Sequence, residues 1–266
     1  MISRREFLVR IGGTLAAGTV WPSMAASGVD LNDPATNLEA YVKLRGNLSG
    51  ELGYDLVRGR IYGLIQGEQA RPLFRTLGAQ VSRYERKSRL EFVTHSRYVG
   101  FLTDWETDRP LTRWTNPYNG KRCDVPVSKY GPAASRVLTD RTVSIDASDK
   151  PSDASGIRPW YVVGDVVHMV DQFLPAVPPS WLPDLDVMTY SGSWSQLRNA
   201  SLTRIPSRLS FTAVERWREW MQMELAGSLL WHVNGVKLDS PDDFPDEAVA
   251  LLVREEPVFF EKDALP

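Results

Sequence analysis

The chain has one cysteine, Cys123, so no internal disulfide can form in any compartment. A lone cysteine beside an Asn-Gly turn reads as a small packed hydrophobe, not as a nucleophile. Histidine is scarce too: His95, His168 and His232 are the whole supply, with no His-x-His pair and no His-Glu-x-x-His. There is no Gly-x-Ser-x-Gly elbow, no Walker loop and no dinucleotide glycine fingerprint after a strand. Gly59-Arg60-Ile61-Tyr62-Gly63 lies inside a strand pattern, which argues against a phosphate cradle. Nicotinamide, flavin and nucleotide chemistry therefore lack support, and no cofactor and no metal are expected. Zinc is the minority alternative, held by the three imidazoles if separate strands aim them into one interior.

An excess of either charge is also missing. The whole chain carries a net charge of −2, and removing Arg4, Arg5, Arg10 and Glu6 makes the remainder more acidic. That sign disfavours nucleic acid as a partner. No apolar run reaches the ~20 residues of a spanning helix, so an integral membrane protein is not expected. No internal repeat is visible.

What is present begins with a leader. Ser3-Arg4-Arg5-Glu6-Phe7-Leu8 fits the twin-arginine export pattern, a short apolar run from Val9 to Val20 follows, and Ser23-Met24-Ala25 offers a small-x-small cleavage site. Residues 1–25 are read as a signal peptide handled by the twin-arginine translocase, with a periplasmic or other extracytoplasmic destination. Residues 26–266 then suit one β-rich domain.

The patterning behind the leader is that of antiparallel sheet. Between Tyr98 and Pro126, Val99, Phe101 and Thr103 alternate with Gly100, Leu102 and Asp104; Asp108-Arg109-Pro110 and Asn116-Pro117-Tyr118-Asn119-Gly120 supply reversals. In Tyr54–Gly67, Arg58, Arg60, Tyr62 and Leu64 take one face and Gly59, Ile61, Gly63 and Ile65 the other, a glycine spacing suited to a bent strand. Further strand patterns run over 74–86, 90–98, 160–173, 187–197, 202–210 and 229–233. Asp33-Pro34 starts a short helix leading into a strand at Tyr41–Leu48. Val214, Trp217, Met221 and Leu225 predict a buried helix over 212–225, and 245–254 reads as a terminal helix. Residues 146–159, rich in Ser, Asp and Pro, read as a long loop, and the prolines of 174–186 as an extended crossing. The expected fold is mainly β, a closed or nearly closed antiparallel calycin-like barrel with a few short helices; an α+β cone is the alternative.

Such a barrel suits a small hydrophobic, aromatic ligand. Trp105, Trp114, Tyr118, Trp160 and Trp194 stand near turns or at strand ends and are candidate cavity walls; ordinary core packing explains them equally well. For chemistry, cofactor-free acid–base catalysis by a lyase, dehydratase or isomerase needs a base near neutral pKa and a cation or acid to hold developing charge. His168, among Val166, Val167, Met169 and Val170, is the first candidate base, with His95 and His232 as alternates. Arg60 and Tyr62 are candidates to steady an oxyanion, and Asp171 to orient an imidazole. A non-catalytic binding module for a small apolar ligand is the competing reading.

Four further stretches belong together: Tyr41-Val42-Lys43-Leu44-Arg45-Gly46, the Trp114–Gly120 heptapeptide, Trp217-x-x-Trp220-Met221, and His232–Asp239 with its Asn234-Gly235 turn. In order and spacing they resemble the bacterial family known as domain of unknown function 1838. The resemblance spans most of the chain behind the leader, and an export signal is common among such proteins. It implies no particular activity and no particular site residues, so function must come from the site.

Overall fold

The sheet consists of two meanders joined through their first and last strands. The computed structural model describes residues 29–139, 142–144, 158–173 and 185–265; the expected leader, most of the 146–159 loop and most of the proline-rich crossing lie outside them. Strands β1 (Gly53–Leu64), β2 (Arg71–Ser88) and β3 (Glu91–Thr103) are long, β4 (Arg113–Thr115) and β5 (Arg122–Asp124) short. They are followed by β6 (Ser128–Leu138), β7 (Thr142–Ser144), β8 (Trp160–Val163), β9 (Val166–Phe173), β10 (Leu185–Ser193), β11 (Ser207–Arg216) and β12 (Ser228–Leu238). Ten of them form one sheet in the order β7-β6-β3-β2-β1-β12-β11-β10-β9-β8, while β4 and β5 make a separate ribbon. Every ladder is antiparallel.

The expected reversal at Asn116–Gly120 is formed, with Gly120 at φ 72°, but it joins β4 to β5 and so leaves the main sheet. Two helical expectations need correction. The helix α1 (Pro34–Arg45), capped by Asp33 accepting from the Thr36 amide at 2.9 Å, runs through the predicted strand start at Tyr41. Ala35, Leu38, Ala40, Tyr41, Val42 and Leu44 are all buried, so this is a core helix enclosed nearly all round. Conversely, the helix predicted over 212–225 is strand β11 as far as Arg216, then a single 3-10 turn at Glu219–Met221. Pairing with β10 on one side and β12 on the other outweighs the helical spacing. The apolar residues still pack: Trp217, Trp220 and Met221 join Phe74, Trp114 and Leu229 in one aromatic cluster. Besides α2 (Trp194–Arg198), the terminal helix α3 (Asp246–Glu255) forms as expected. With Phe244 and Phe259 it covers Tyr54, Leu77, Ala79, Val81, Val99 and Phe101 on the outer face of the sheet.

The mainly β, antiparallel architecture is therefore as expected. Among the described residues no ladder joins the end strands β7 and β8, which are 3 and 4 residues long. The sheet nevertheless curls: Ser128 at the start of β6 and Met188 and Tyr190 of β10, near opposite ends of the strand order, line one cavity. The two edges are also tied by Arg158, just ahead of β8. Its guanidinium donates to Leu138 O at 2.9 Å, Thr139 O at 3.2 Å and Thr142 Oγ1 at 3.1 Å, and stands 3.5 Å from Asp171 of β9.

Candidate functional site

The inner face of β1 carries Asp55, Val57, Gly59, Ile61 and Gly63. This is the glycine-bearing face of the sequence pattern, extended backwards by two residue pairs. Gly59 has a steric reason: a Cβ there would stand 2.5 Å from His232 O on β12. Gly78 and Gly100, opposite each other on β2 and β3, clear a floor on which the Tyr98 side chain lies. Above this floor is a cavity of about 270 Å³ with an apolar body made by Val57, Met188, Leu209, Phe211 and Val233. Its polar end is made by Arg45, Asp55, Gln80 and Tyr190, with Glu215, Arg218 and Trp231 at the other. A second cavity of about 370 Å³, lined by Ile61, Phe74, Trp220 and Leu229, shares Leu102, Ser128, Arg218 and Trp231 with the first.

The polar end is built from α1 and from strands distant in sequence. Arg45, the last residue of α1, hydrogen-bonds Tyr41 Oη, pairs with Asp171 at 3.2 Å, and stacks 4.8 Å above the Tyr190 ring. Arg158 lies on the far side of Asp171 and 4.0 Å over the Tyr41 ring. Asp171 is fully buried between two guanidiniums, the compensation a buried carboxylate requires. Register places Asp55 opposite Lys237 on β12 and Gln80 on β2. Lys237 donates to the carbonyls of Lys43, Leu44 and Gly46 at 2.9, 3.0 and 3.1 Å. Three donors require the ammonium form, and the C-terminal end of a helix favours a cation. Burial presses the Lys237 pKa downward, and Asp55 opposes that shift.

Asp55 is the group that stands apart. It has no hydrogen bond or ion pair within the described residues, although it lines the cavity. Burial lifts its carboxyl to about 6, with Lys237, Arg45 and Arg204 pulling the other way. Burial also raises Tyr190 well above the ordinary phenol value and Tyr98 to about 12, so both hydroxyls remain donors at neutral pH. The Trp231 indole N–H, on the same cavity wall, is likewise buried without a partner. Arg45, Arg158 and Lys237 face Asp171 and Asp55, so one positive charge is left over even with both carboxyls ionised. The arrangement can accept a proton at Asp55 and hold a negative oxygen at Arg45 and Tyr190.

The residues singled out in the sequence are dispersed. His168 is on the outer face of β9, its Nδ1 2.8 Å from Ser191 Oγ and its ring stacked on Tyr161 at 4.5 Å. Asp171, three residues on, points to the opposite face, so it orients Arg45 and Arg158 and no imidazole. His95 faces Arg83 on β2, with Nδ1 buried and unpaired. His232 is exposed on β12, but it does share an outer pocket with Arg60 and Asp108. Arg60 lies 5.7 Å over Trp105, against which Tyr62 packs edge-on at 5.5 Å. Trp114 belongs to the aromatic cluster, Tyr118 packs on Trp217 at 5.7 Å, Trp160 lies on β8 opposite Met169, and Trp194 is buried in α2. None of these five aromatics lines either inner cavity; Trp220 and Trp231 do. Among the described residues no three His, Cys, Asp or Glu side chains gather as a metal site.

Arg45, Asp55, Tyr190 and Lys237 went unnoticed as a group. One signal was available: Asp55 and Lys237 are the charged positions on otherwise uncharged strand faces, Val57, Gly59, Ile61 and Gly63 on β1 and Leu229, Trp231, Val233 and Gly235 on β12.

Fold and cavity together define an antiparallel β protein whose curled sheet encloses an apolar chamber with a charged end. The chain belongs to the DUF1838 family, described as proteins of unknown function, which it matches over residues 54–265. No curated protein matches it. Among the described residues no helix is long and apolar enough to cross a membrane.

Proposed function

We propose that this chain is an exported, barrel-like protein that takes a small hydrophobic, aromatic molecule into the inner cavity and transforms it by cofactor-free acid–base chemistry. The observation that carries the reading is Asp55, a carboxylate without a partner on the wall of an apolar cavity, with Arg45 beside it. Asp55 takes a proton from a carbon next to a carbonyl. The electron pair moves onto the carbonyl oxygen, which Arg45 and the Tyr190 hydroxyl hold. The bonds of Arg45 to Tyr41 and Asp171 use one terminal nitrogen and leave its other donors for this oxygen. Return of the proton at another carbon gives an isomerase. When the neighbouring carbon bears a hydroxyl, the electron pair returns to form a C=C bond, the C–O bond breaks and the hydroxyl leaves as water with the proton from Asp55, a dehydratase and so a lyase reaction. Both ends of the sheet contribute to the chamber, so a barrel-like enclosure, with Arg158 as its clasp, is part of the proposal.

The test is to incubate purified protein with pools of phenolic, terpenoid and other aromatic carbonyl compounds in heavy water, then compare masses and isomers. Deuterium uptake or product formation that disappears in Asp55→Asn is the expected result. Retention of a compound with no change in mass, isomer or deuterium content would establish a binding module instead. Export is tested separately: replacing Arg4 and Arg5 together by Lys should leave precursor in the cytoplasm, and unchanged export would defeat that part.

A further inference from the structure

The outer face of β1 holds a second concavity, of about 370 Å³, lined by Arg58, Arg60, Arg75, Asp108, His232 and Asn234. Strand register places His232 of β12, Arg60 of β1 and Arg75 of β2 directly abreast, each opposite the next. Basic groups set directly opposite on adjacent strands repel one another. Such a row is normally relieved by acids. Here the acids are already committed: Asp108 binds Arg58 at 3.1 Å through Oδ2 and accepts from Thr103 Oγ1 at 2.6 Å through Oδ1. Glu247 also pairs with Arg58, so Arg58 is compensated. The nearby Asp104 accepts from the Thr107 amide and hydroxyl and from the Glu106 amide. Arg60 and Arg75 make no ion pair within the described residues, and Arg75 Nε is buried with no hydrogen-bond partner. Two guanidinium forks without ion pairs among the described residues, an imidazole and the Asn234 amide thus surround one pocket, with Asp104 acting on Arg75 only through space.

We propose that this pocket binds a tetrahedral dianion, a phosphate or sulfate group, bridged between Arg60 and Arg75. Two guanidiniums free of ion pairs match a dianion in charge, and each fork can present paired N–H donors to two of its oxygens. His232 and Asn234 supply further donors from β12. The pocket opens on the face of the sheet opposite the inner cavity, so the proposal does not depend on the acid–base reading.

Thermal unfolding in a non-coordinating buffer tests it, with inorganic phosphate, inorganic sulfate, sodium acetate and sodium chloride compared at equal ionic strength. Phosphate or sulfate at about ten times its dissociation constant should raise the midpoint by about 3–5 °C, with little response to acetate or chloride. The R60Q/R75Q variant should lose that rise and bind phosphate at least about tenfold more weakly by titration calorimetry. Should that variant not fold, R60K/R75K keeps the charge but not the forks and should also bind more weakly than the parent. The proposal is overturned if chloride reproduces the rise, if the rise survives in R60Q/R75Q, or if R60K/R75K binds phosphate as tightly as the parent.

Discussion

The two faces of strand β1 treat charge in opposite ways. Inside, Asp55 belongs to an enclosed network in which most charged groups have a dedicated partner: Lys237 three carbonyls, Asp171 two arginines, Arg45 a carboxylate and two tyrosine rings. Outside, Arg60 and Arg75 stand side by side with no ion pair of their own among the described residues, the nearby Asp108 being engaged by Arg58 and Thr103. Burial makes the difference: a guanidinium in water tolerates a like neighbour at small cost, whereas a carboxylate in a closed core does not tolerate solitude. Asp55, which lines the cavity and makes no hydrogen bond or ion pair among the described residues, is therefore the more telling exception.

The comparison breaks most severely at Asp171. Asp171→Ala strands Arg45 and Arg158 together in the core and should cost about 3–5 kcal/mol in urea unfolding; loss under about 1 kcal/mol would mean the two arginines are solvated. Asp55→Asn should act chiefly on chemistry, lowering turnover by about 10²–10⁴-fold with a smaller change in unfolding, because relief of carboxylate burial is offset by the lost attraction to Lys237 and Arg45. Its pH dependence follows in sign. The folded value, about 6, lies above the ordinary 3.8. Stabilisation by the extra proton is full below the unfolded value and is lost as pH rises through about 6, while the basic form, and with it turnover, appears over the same interval. A pH–rate profile that is flat across pH 5–7 would remove Asp55 from the base role. Lys237→Met leaves the α1 carbonyls without their donor and should cost about 2–3 kcal/mol by the same unfolding assay. The smallest effect belongs to the other end of α1, where Asp33→Ala removes a cap worth about 1 kcal/mol; a larger loss would show that this end too is tied into the core.

Much of this fold was legible because period-two alternation is a local property. Val99, Phe101 and Thr103 are buried as the alternation requires, and the two faces of β1 were separated correctly. The 212–225 stretch was misread because Val214, Trp217, Met221 and Leu225 satisfy a helical spacing by chance, while the strand partners that decide the matter are not visible locally. The site suffered from the same limitation more acutely. Lys237 lies more than 190 residues from the α1 carbonyl of Lys43 that it binds, and only sheet register brings it opposite Asp55. Histidines drew attention because their chemistry is familiar, yet His168 and Asp171 fall on opposite faces of one strand, a consequence of odd spacing that the sequence alone could have disclosed.

The β1–β12 ladder also sets an order of events for the chain. Strands β1, β2, β3, β6 and β7 form one meander, with the β4–β5 ribbon inserted between β3 and β6, β8 to β12 form the other, and a single ladder between Gly53–Leu64 and Ser228–Leu238 unites them. The charged end of the cavity straddles that junction, with Arg45 and Asp55 from the first half and Asp171, Tyr190 and Lys237 from the second. Contacts of such wide sequence separation form late and slowly. A nascent chain therefore holds the two parts of the chamber unjoined until its last strand is released, and Asp55 acquires Lys237 as its cross-strand neighbour only once that ladder forms.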